Sequence, residues 1–509
     1  MDLHVSLEGP GDLAFRIYRQ LRDAILDGRL RPGERLPPSR ELARRLDVAR
    51  NTVCVAYERL TAEGFLVARV GAGTFVGPEP VTRAEPRAAP QGRGVRPRAF
   101  WDSLSPNLSP DLSSDSPDSP GPSTGPPPVY DFRVGRPDGE LFPLATWRRL
   151  VAGELRVSAV RTAGYREPTG HPGLREAIAR YVGVSRSVRA HTEDVLVTQG
   201  AQQALDLVGR VLIEPGDRVA VEEPGYPLAR LLFASLGAQV VGVPVDDEGL
   251  DVSALPADAR LVYVTPSHQF PLGTPMSLAR RAALLEWAAR HDAVIVEDDY
   301  DSEFRFGERP LEPLQSLDRD GRVVYVGTFS KTLSPMLRLG FLVAPASLRP
   351  ALRAARRLTD WHGDHTAQAA LARFIDSGEL SRHVRKATRV YAARRERILA
   401  ALRDDLGDLL DLVPSTAGLH LCARLRPDAL AMLGPDVPTG LARVLEKAHA
   451  SGVAVESLAD YCAEGASQAG LVLGYGAIPA ERVAEGLRRL GRFLEGSAGT
   501  TTAAAPANP

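Results

Sequence analysis

The sequence predicts an α/β protein with two unlike folded parts: a small N-terminal module of helices and a hairpin, and a large domain built on a mainly parallel sheet. Apolar residues repeat with helical spacing near the start, and short β-branched runs alternate with amphipathic helical stretches later. A length of 509 residues also exceeds what one ordinary core supports. We therefore predict four segments: the module 1–77, a flexible linker 78–128, the α/β domain 129–495 and a disordered tail 496–509.

Composition excludes several classes of protein. The formal net charge of −1 excludes a globally basic nucleic-acid binder, so any DNA contact must come from a local patch. Cys54, Cys422 and Cys462 match neither a disulfide framework nor a zinc-ligand pattern, so we expect reduced thiols and no metal site. The sequence contains no run of about 18 apolar residues and no secretory signal, which predicts a cytoplasmic protein without a membrane span.

The residue pattern of the N-terminal module predicts three helices followed by a hairpin. The inward-facing residues are Ile17, Leu21 and Ile25 in the first helix, Leu42, Ala43 and Leu46 in the second, and Val53, Tyr57 and Leu60 in the third. Gly28 and Gly64 end the first and third helices, and Ser39 is the predicted N-cap of the second. The runs 65–70 and 74–76 then form a short hairpin. This order of elements is that of a winged helix-turn-helix.

The start of the third helix carries the candidate DNA contacts. The N-terminal end of such a helix enters the major groove, where Arg50, Asn51 and Thr52 suit base edges and phosphates. The alternative is that these residues form an ordinary solvated face. The stretch GRLRPGERLPPSRELA at 28–43 resembles the GntR-type winged helix, and the match runs from Leu13 to Val76. The resemblance implies that Arg40, Arg50, Asn51 and Thr52 contact double-stranded operator DNA and that the wing tip at Gly73 nears the minor groove.

In the large domain, one lysine stands out. The chain has 62 basic residues, but only Lys331, Lys386 and Lys447 are lysines. Lys331 follows the strand-like run 323–326 in the sequence Thr-Phe-Ser-Lys-Thr, with Arg338 seven residues further on. A lysine amine can attack an aldehyde, which arginine cannot, and hydroxyl and guanidinium groups bind phosphate. These are the groups that pyridoxal phosphate requires; the alternative is a surface lysine after a buried strand.

Three acidic residues and a tyrosine end another strand. Taken alone, Glu297, Asp298 and Asp299 would more often form a metal site or a solvated turn. With Lys331 about 30 residues later, a carboxylate here can instead keep the pyridine nitrogen protonated, and the Tyr300 phenol can bond the ring's 3-oxygen. The residues from Gly200 open a helix after a strand, so their backbone N–H groups can receive the phosphate.

These motifs resemble fold-type I aminotransferases over about Val129 to Leu494. The resemblance implies that Lys331 forms the aldimine, that Asp298 meets the pyridine nitrogen and that Tyr300 meets the 3-oxygen. It further implies two groups of contacts. The phosphate is held by Gly200, Ala201, Gln202, Thr328, Ser330 and Arg338. Tyr226 stacks on the ring, and Tyr165 reaches the phosphate of the partner subunit, although each tyrosine alone is as often a core residue.

The two halves together look like the MocR subfamily of GntR regulators, in which an aminotransferase-like dimer senses an effector. The stretch TPSHQFPLG at 265–273 strengthens the resemblance, but Phe270 stands where aminotransferases usually carry asparagine, so a hydrogen bond to the cofactor is lost. The segments 453–461 and 471–475 contain no arginine to clamp a substrate carboxylate. Arg133 or Arg136 is the alternative clamp.

The sequence therefore favours a pyridoxal phosphate-dependent transcriptional regulator. It is expected to form a homodimer with its domains exchanged head-to-tail, and to sense pyridoxal phosphate or a small amine through an aldimine on Lys331. The absent arginine favours the cofactor itself as signal and vitamin B6 metabolism as target. The alternative is an active aminotransferase with an attached DNA-binding domain. A third interpretation, a DNA-binding architectural protein with an inactive domain, conflicts with the intact lysine motif.

Overall fold

The structure is a computed structural model that describes residues 12–77, 98–104, 128–155, 164–307, 312–463 and 468–496. The chain divides into two compact units, Met1–Ala99 and Phe100–Pro509. Most of the predicted linker and the tail beyond 496 lie outside the described residues. A six-residue helix, α4 (Ala99–Leu104), lies within the predicted linker, where composition indicated no helix.

The N-terminal unit contains the elements that its periodicity predicts. Its helices and strands are α1 (Leu13–Leu26), α2 (Ser39–Arg45), α3 (Arg50–Ala62), β1 (Leu66–Arg69) and β2 (Gly73–Val76). The helices bury one apolar core, and the two strands pair antiparallel with Leu66 opposite Val76. Two details differ from the prediction.

The predicted N-cap of α2 is wrong by one residue. Pro38 occupies the cap position and Ser39 is the first helical residue, so no side chain caps this helix. The wing tip also differs, because Gly73 already belongs to β2 and pairs with Arg69. The turn itself is formed by residues 70–72, and Val70 at its tip is fully exposed.

The large unit is built on one eight-stranded sheet. Its strands are β4 (Val195–Thr198), β5 (Arg218–Glu223), β6 (Gln239–Asp246), β7 (Gly249–Leu250), β8 (Ala259–Val264), β9 (Val294–Asp299), β10 (Val323–Thr328) and β11 (Gly340–Val343). The strand order is β4-β11-β10-β9-β8-β5-β6-β7. The pairs formed by β5, β6, β8, β9 and β10 are parallel, whereas β11 and β7 run antiparallel to their neighbours. The predicted α/β fold with a mainly parallel sheet is confirmed.

Helices cover the sheet, because strands buried on both faces need apolar cover on each side. They are α5 (Leu144–Glu154), α6 (Pro172–Arg186), α7 (Ala201–Leu212), α8 (Pro227–Ser235), α9 (Leu278–Arg290), α10 (Leu314–Leu317), α11 (Arg349–Thr359) and α12 (His365–Asp376). Separate apolar clusters fill the space on the two sides of the sheet. Within the part of the chain that the structure describes, no helix is both long and apolar enough to cross a membrane.

A smaller C-terminal layer completes the unit. It consists of α13 (Glu379–Leu406), β12 (Leu410–Leu412), β13 (His420–Leu425), α14 (Pro427–Leu433), α15 (Val437–Ala450), β14 (Val453–Ala454), β15 (Glu456–Ser457), β16 (Gly470–Gly474) and α16 (Val483–Glu495). Four of these strands form a sheet in the order β12-β13-β16-β15. The short β3 (Tyr130–Asp131) pairs with β14, which ties the beginning of the large unit to its C-terminal layer.

The sheet brings the predicted site residues to one edge. Strands β9 and β10 are parallel neighbours, with Asp298 opposite Val326, so their carboxyl ends coincide. Strand β4 lies beyond β11 and is antiparallel to it, and therefore ends at the same edge. Parallel α/β sheets bind ligands at this edge.

Candidate cofactor and DNA-binding sites

One cavity of about 640 Å³ collects most of the predicted cofactor residues. Its lining includes Lys331, Asp298, Tyr300, Thr328, Ser330, Arg338, Ala201, Gln202 and Tyr226. Gly200 is the cap residue immediately before Ala201, the first residue of α7. Tyr165 lies outside the cavity.

Lys331 is placed as a nucleophile. Its amine donates a hydrogen bond to the backbone oxygen of Gly135 at 2.7 Å. Burial lowers the pKa of Lys331, although Asp301 and Asp298 oppose the shift by attracting the ammonium. A lowered pKa increases the fraction of free amine, which is the form that attacks a carbonyl carbon.

Of the three adjacent acids at the end of β9, Asp298 is the one that faces the cavity. Its Oδ2 accepts a hydrogen bond from the Tyr263 hydroxyl at 2.8 Å. Its Oδ1 is buried and has no hydrogen-bond partner among the described residues. Burial raises the pKa of Asp298 to about 7, partly offset by the Tyr263 hydroxyl. An unsatisfied buried oxygen at this point fits a protonated ring nitrogen as its missing partner.

The neighbouring acids point to the other face of β9 and have structural partners. Asp299 bonds Arg186 at 2.7 Å and the Tyr325 hydroxyl at 2.5 Å. Burial acts to raise the pKa of Asp299, but Arg186 together with hydrogen bonds from Ser302 and Tyr325 outweighs it and holds the pKa below its usual range. Glu297 accepts the backbone N–H groups of Leu314 and Gln315, both at 2.9 Å. Side chains alternate along a strand, so only the middle acid of the three reaches the cavity.

Tyr300 lines the cavity, and two histidines and an acid lie next to it. Its hydroxyl donates to the backbone oxygen of His268 at 3.0 Å and lies 2.9 Å from His268 Nδ1. His268 Nδ1 in turn lies 3.0 Å from a carboxylate oxygen of Asp301. In the described part of the chain, His268, Asp301 and His420 form the one group whose ligand atoms, all within 4.8 Å of one another, are close enough for a metal ion. The prediction of no metal stays a prediction.

The opposite end of the cavity suits a phosphate. Helix α7 begins at Ala201, and the cap residue Gly200 supplies no side-chain acceptor, which leaves N–H groups at the helix start. Arg338 lies beside them and donates to the backbone oxygen of Gln199 at 2.8 Å. A Cβ on Gly200 would lie 3.2 Å from Arg338 Nη2, so glycine leaves this approach open. The hydroxyls of Thr328 and Ser330 complete this end, 3.0 Å apart.

Of the two remaining predicted cofactor residues, Tyr226 lines the cavity and Tyr165 lies outside it. Tyr226 contacts Phe270 edge to face, with ring centroids 5.8 Å apart. Phe270, which stands where aminotransferases usually carry asparagine, therefore forms part of an apolar wall of the cavity. Tyr165 is 82% exposed and packs against Trp361 at 4.8 Å between ring centroids. Its contact with a partner subunit stays a prediction.

The candidate DNA contacts lie on the surface of the N-terminal unit. Arg40, Arg50 and Asn51 are exposed, and Thr52 is half-buried. Arg50 is the first residue of α3, and no side chain caps this helix, so its N-terminal N–H groups can meet phosphate. Gly73 lies against the side chain of Arg35, since a Cβ there would lie 2.9 Å from Arg35 Nε. Contact with DNA at these residues stays a prediction.

Comparisons with known proteins agree with this geometry. Residues 13–76 match the family of bacterial regulatory proteins, gntR family, and residues 128–455 match aminotransferase class I and II. The chain is 39% identical to the probable rhizopine catabolism regulatory protein MocR of Rhizobium meliloti, over 93% of this chain and 92% of that protein. The chain is a GntR-type regulator of the MocR subfamily.

Two further similarities concern its aminotransferase-like half. The HTH-type pyridoxine biosynthesis transcriptional regulator PdxR of Corynebacterium glutamicum is 32% identical over 93% of this chain and 95% of that regulator. The α-aminoadipate aminotransferase LysN of Thermus thermophilus, complexed with N-(5'-phosphopyridoxyl)-L-leucine, has a TM-score of 0.65 and 31% identity, and the match covers 73% of this chain and 92% of LysN. This MocR-type regulator is thus a DNA-binding, pyridoxal phosphate-binding protein with an aminotransferase-like domain.

Sequence reasoning missed several residues of this MocR-type site. Tyr263 donates to Asp298, and Gly135 accepts the hydrogen bond from Lys331. Glu222 is buried and accepts a hydrogen bond from the hydroxyl of Thr265, which lines the cavity. Burial raises the pKa of Glu222 to about 7. Tyr263 was detectable as a phenol within an apolar strand next to the acidic one. Gly135 and Glu222 carry no local signal, because each reaches the site only through tertiary contacts.

Proposed function

We propose that this regulator changes its DNA binding in response to the ligand state of Lys331. The effector is pyridoxal phosphate itself, or a small amine that replaces Lys331 on the cofactor. The observation that carries the proposal is the buried Lys331 amine, which shares one cavity with Asp298 and Arg338 in a chain that also has a GntR-type module. When bound, the cofactor supplies an aldehyde carbon and an electron-accepting ring.

The exchange with an amine is balanced in atoms and protons. With cofactor held on Lys331, an incoming amine would take the place of Lys331 Nζ on the aldehyde carbon, so that the bond to the effector nitrogen forms as the bond to Lys331 Nζ breaks. The hydrogens that the effector ammonium gives up would pass to Lys331 Nζ, which leaves as an ammonium, so no oxidant or reductant is required. A charged Lys331 next to the backbone oxygen of Gly135 would then alter the packing of residues 133–137 and bias the domain arrangement.

The test compares three proteins in DNA-binding titrations on the chain's own upstream DNA. Wild type, Lys331→Ala and Lys447→Ala are each measured with and without pyridoxal phosphate. Lys447 is an exposed lysine of α15 and controls for cofactor attached at the surface. We expect cofactor to change DNA affinity several-fold in wild type and Lys447→Ala but not in Lys331→Ala. Equal responses in all three proteins would contradict the proposal.

The regulated target is proposed to be vitamin B6 synthesis or salvage. The similarity to a pyridoxine biosynthesis regulator and the absence of an arginine in segments 453–461 and 471–475 both favour the cofactor as signal. A transcript comparison between wild-type cells and cells with this gene deleted, grown with and without pyridoxine, tests this target. Unchanged transcripts of B6 genes would refute it.

Active transamination is the second candidate function, and the intact Lys331 and Asp298 favour it. Steady conversion of an amino donor and a 2-oxo acid, together with DNA binding that ignores the cofactor, would establish the enzyme instead of the sensor. Phe270 in the cavity wall counts against turnover, because it offers no hydrogen bond to the ring.

We further propose that the regulator acts in the cytoplasm as a homodimer with exchanged head-to-tail domains, with the segment 78–128 as a flexible linker. The exposed ring of Tyr165 supports the dimer, since it lies outside its own chain's cavity. Tyr165→Phe is expected to weaken cofactor affinity while the mass measured by light scattering stays that of a dimer. A monomeric wild type would refute this arrangement.

A further inference from the structure

A buried histidine and a buried acid lie next to the hydroxyl that is predicted to meet the 3-oxygen of the cofactor. His268 and Asp301 are each 2% exposed. Asp301 lines the cavity together with Tyr300, and the ring of His268 stacks on that of Tyr300 with centroids 5.8 Å apart. Neither residue belongs to the groups that the cofactor was predicted to need, so their contacts require another explanation.

The partners of His268 determine which ring nitrogen carries its proton. Nδ1 lies 3.0 Å from Asp301 Oδ1, and a carboxylate oxygen can only accept a hydrogen bond. Nε2 is buried and has no hydrogen-bond partner among the described residues. A proton on Nε2 would leave a buried N–H unpaired, whereas a proton on Nδ1 is donated to Asp301. His268 is therefore a donor at Nδ1.

The Tyr300 hydroxyl then has one place for its own proton. Its oxygen lies 2.9 Å from His268 Nδ1, but a nitrogen that carries hydrogen cannot accept. The hydroxyl instead donates to the backbone oxygen of His268 at 3.0 Å. The Tyr300 oxygen is thus in reach of the Nδ1–H group as an acceptor, while its proton is held by the protein backbone.

Residues 418–420 enclose the histidine and the acid. The backbone N–H of Leu419 donates to Asp301 Oδ2 at 3.1 Å. The His420 ring packs against that of His268 with centroids 4.6 Å apart, and burial lowers the pKa of His420 to about 3, which keeps it neutral. A Cβ on Gly418 would lie 1.9 Å from His268 Cε1, so the position admits only glycine. Packing as well as hydrogen bonding therefore fixes the orientation of His268.

We propose that His268 and Asp301 are positioning residues that direct the Tyr300 proton to the 3-oxygen of the bound cofactor. A negatively charged 3-oxygen would draw this proton away from the backbone oxygen of His268. The Nδ1–H group would then donate to the Tyr300 oxygen as well as to Asp301, which makes the hydroxyl a stronger donor. We call the chain of hydrogen bonds from Asp301 through His268 to Tyr300 the relay. The relay rests on the cofactor-binding part of the proposed function and is independent of its DNA response.

The readout is the pH midpoint of the visible absorption of the cofactor-loaded full chain. A donor at the 3-oxygen stabilises negative charge there, so the bound cofactor gives up its own proton at a lower pH. The charged and titratable groups around the Tyr300 hydroxyl are Asp298, Asp299 and Asp301 at or just after the end of β9, Glu222 of β5, Lys331 after β10 and His420 of β13. All of them are retained when only position 268 changes.

Two variants of equal size separate the hydrogen bond from packing. Asparagine places an N–H group at the position of Nδ1, and leucine places a methyl group there. We expect His268→Asn to keep the wild-type midpoint and His268→Leu to raise it by about one pH unit, the size of one hydrogen bond. His449→Leu, at an exposed histidine of α15, is the control and should behave as wild type. If His268→Leu does not fold, His268→Gln replaces it, because its amide reaches the position of Nε2 instead of Nδ1.

A double variant shows whether His268 acts through Tyr300. Tyr300→Phe should also raise the midpoint, because the donor to the 3-oxygen is lost. Adding His268→Leu to Tyr300→Phe should raise it no further, since the hydroxyl that transmits the effect of His268 is already absent. A purely structural effect of His268 would instead add to that of Tyr300→Phe.

Three outcomes would overturn the relay. They are equal midpoints in His268→Asn and His268→Leu, additive shifts in the double variant, and a wild-type midpoint that moves on treatment with EDTA. The last would mean that a metal ion joins His268, Asp301 and His420 in place of hydrogen bonds. The sensor is decided separately: if the relay fails while cofactor still changes DNA affinity, only the relay falls. If the midpoints follow the expectation but DNA affinity ignores the cofactor, the relay stands and the sensor falls.

Discussion

Asp298 has one buried carboxylate oxygen without a hydrogen-bond partner among the described residues, and unlike Glu297 and Asp299 it lines the cavity. Burial raises its pKa to about 7. Without cofactor, the folded state therefore favours the protonated form of Asp298. At a pH that ionises this carboxyl in the unfolded chain, the fold loses stability, because it must either keep the proton or bury the charge. The same oxygen becomes useful when a protonated ring nitrogen lies opposite, because a charged hydrogen bond then replaces an unsatisfied one.

Asp298→Asn should stabilise the cofactor-free protein at alkaline pH. The unfolded carboxylate ionises near pH 4 and the folded one near pH 7, so wild-type stability falls as pH rises through this window. Each pKa unit corresponds to about 1.4 kcal/mol, so the variant should gain on the order of 2–4 kcal/mol at pH 8 and almost nothing at pH 4. Urea unfolding at both pH values measures this. With cofactor present, Asp298→Asn should instead bind the cofactor about tenfold or more weakly than wild type does.

At the scale of single elements, strand β9 serves two purposes at once. One face directs Asp298 to the cavity, and the other holds Glu297 and Asp299 on backbone N–H groups and on Arg186 from α6. The buried pair of Arg186 and Asp299 fixes the position of β9 against α6, and with it the height of Asp298 at the sheet edge. The end of β9 that carries Asp298 is thus stabilised by an ion pair on the opposite face of the strand.

Arg186→Leu should therefore destabilise the large unit strongly. Removing one member of a buried ion pair leaves an uncompensated carboxylate and typically costs about 3–5 kcal/mol. Arg180→Ala provides the control on the same helix, since its pairs with Glu176 and Asp376 are exposed and should cost less than about 1 kcal/mol. Chemical unfolding of both variants gives the comparison. Similar losses in the two would show that the buried pair has no special role.

The third helix of the N-terminal unit places Arg50 at its start, where a helix approaches DNA. Arg50→Ala should weaken operator binding by about 1–3 kcal/mol if the guanidinium reads a base, with reduced discrimination at one base pair. If Arg50 binds phosphate, affinity should fall for all sequences and the slope against salt should decrease by about one. Fluorescence anisotropy over a salt series separates the two. Arg443→Ala in α15 is the surface control, and an unchanged Arg50→Ala would refute the contact.

For the whole molecule, the division into two compact units means that cofactor stabilises one unit directly. Calorimetry should show two transitions, of which pyridoxal phosphate raises only the one from the large unit. At a ligand concentration of about 100 times Kd the gain is about 2.7 kcal/mol. Lys331→Ala should reduce the shift and Lys447→Ala should keep it. A single transition that moves as a whole would show that the units unfold together.

Much of this organisation could be predicted from local patterns. Helical repeats in residues 13–62 and β-branched runs such as 323–326 depend on neighbours in sequence, and the structure contains these elements. Lys331 was identified because arginine replaces lysine nearly everywhere else. The error at Ser39 has a local cause, since Pro38 supplies a fixed φ and takes the cap position itself.

The sequence by itself determined the two kinds of domain, the cofactor lysine and the strand ends that approach it, because periodicity, residue chemistry and spacing along the chain are local properties. Only the tertiary structure decided which of three adjacent acids faces the cavity, which backbone oxygen meets Lys331 and which histidine and acid lie next to Tyr300. These depend on strand pairing and on contacts between distant segments, such as residues 133–137 with 474–476 and residue 268 with residue 418. Segments more than 300 positions apart can supply one site only after the chain has folded.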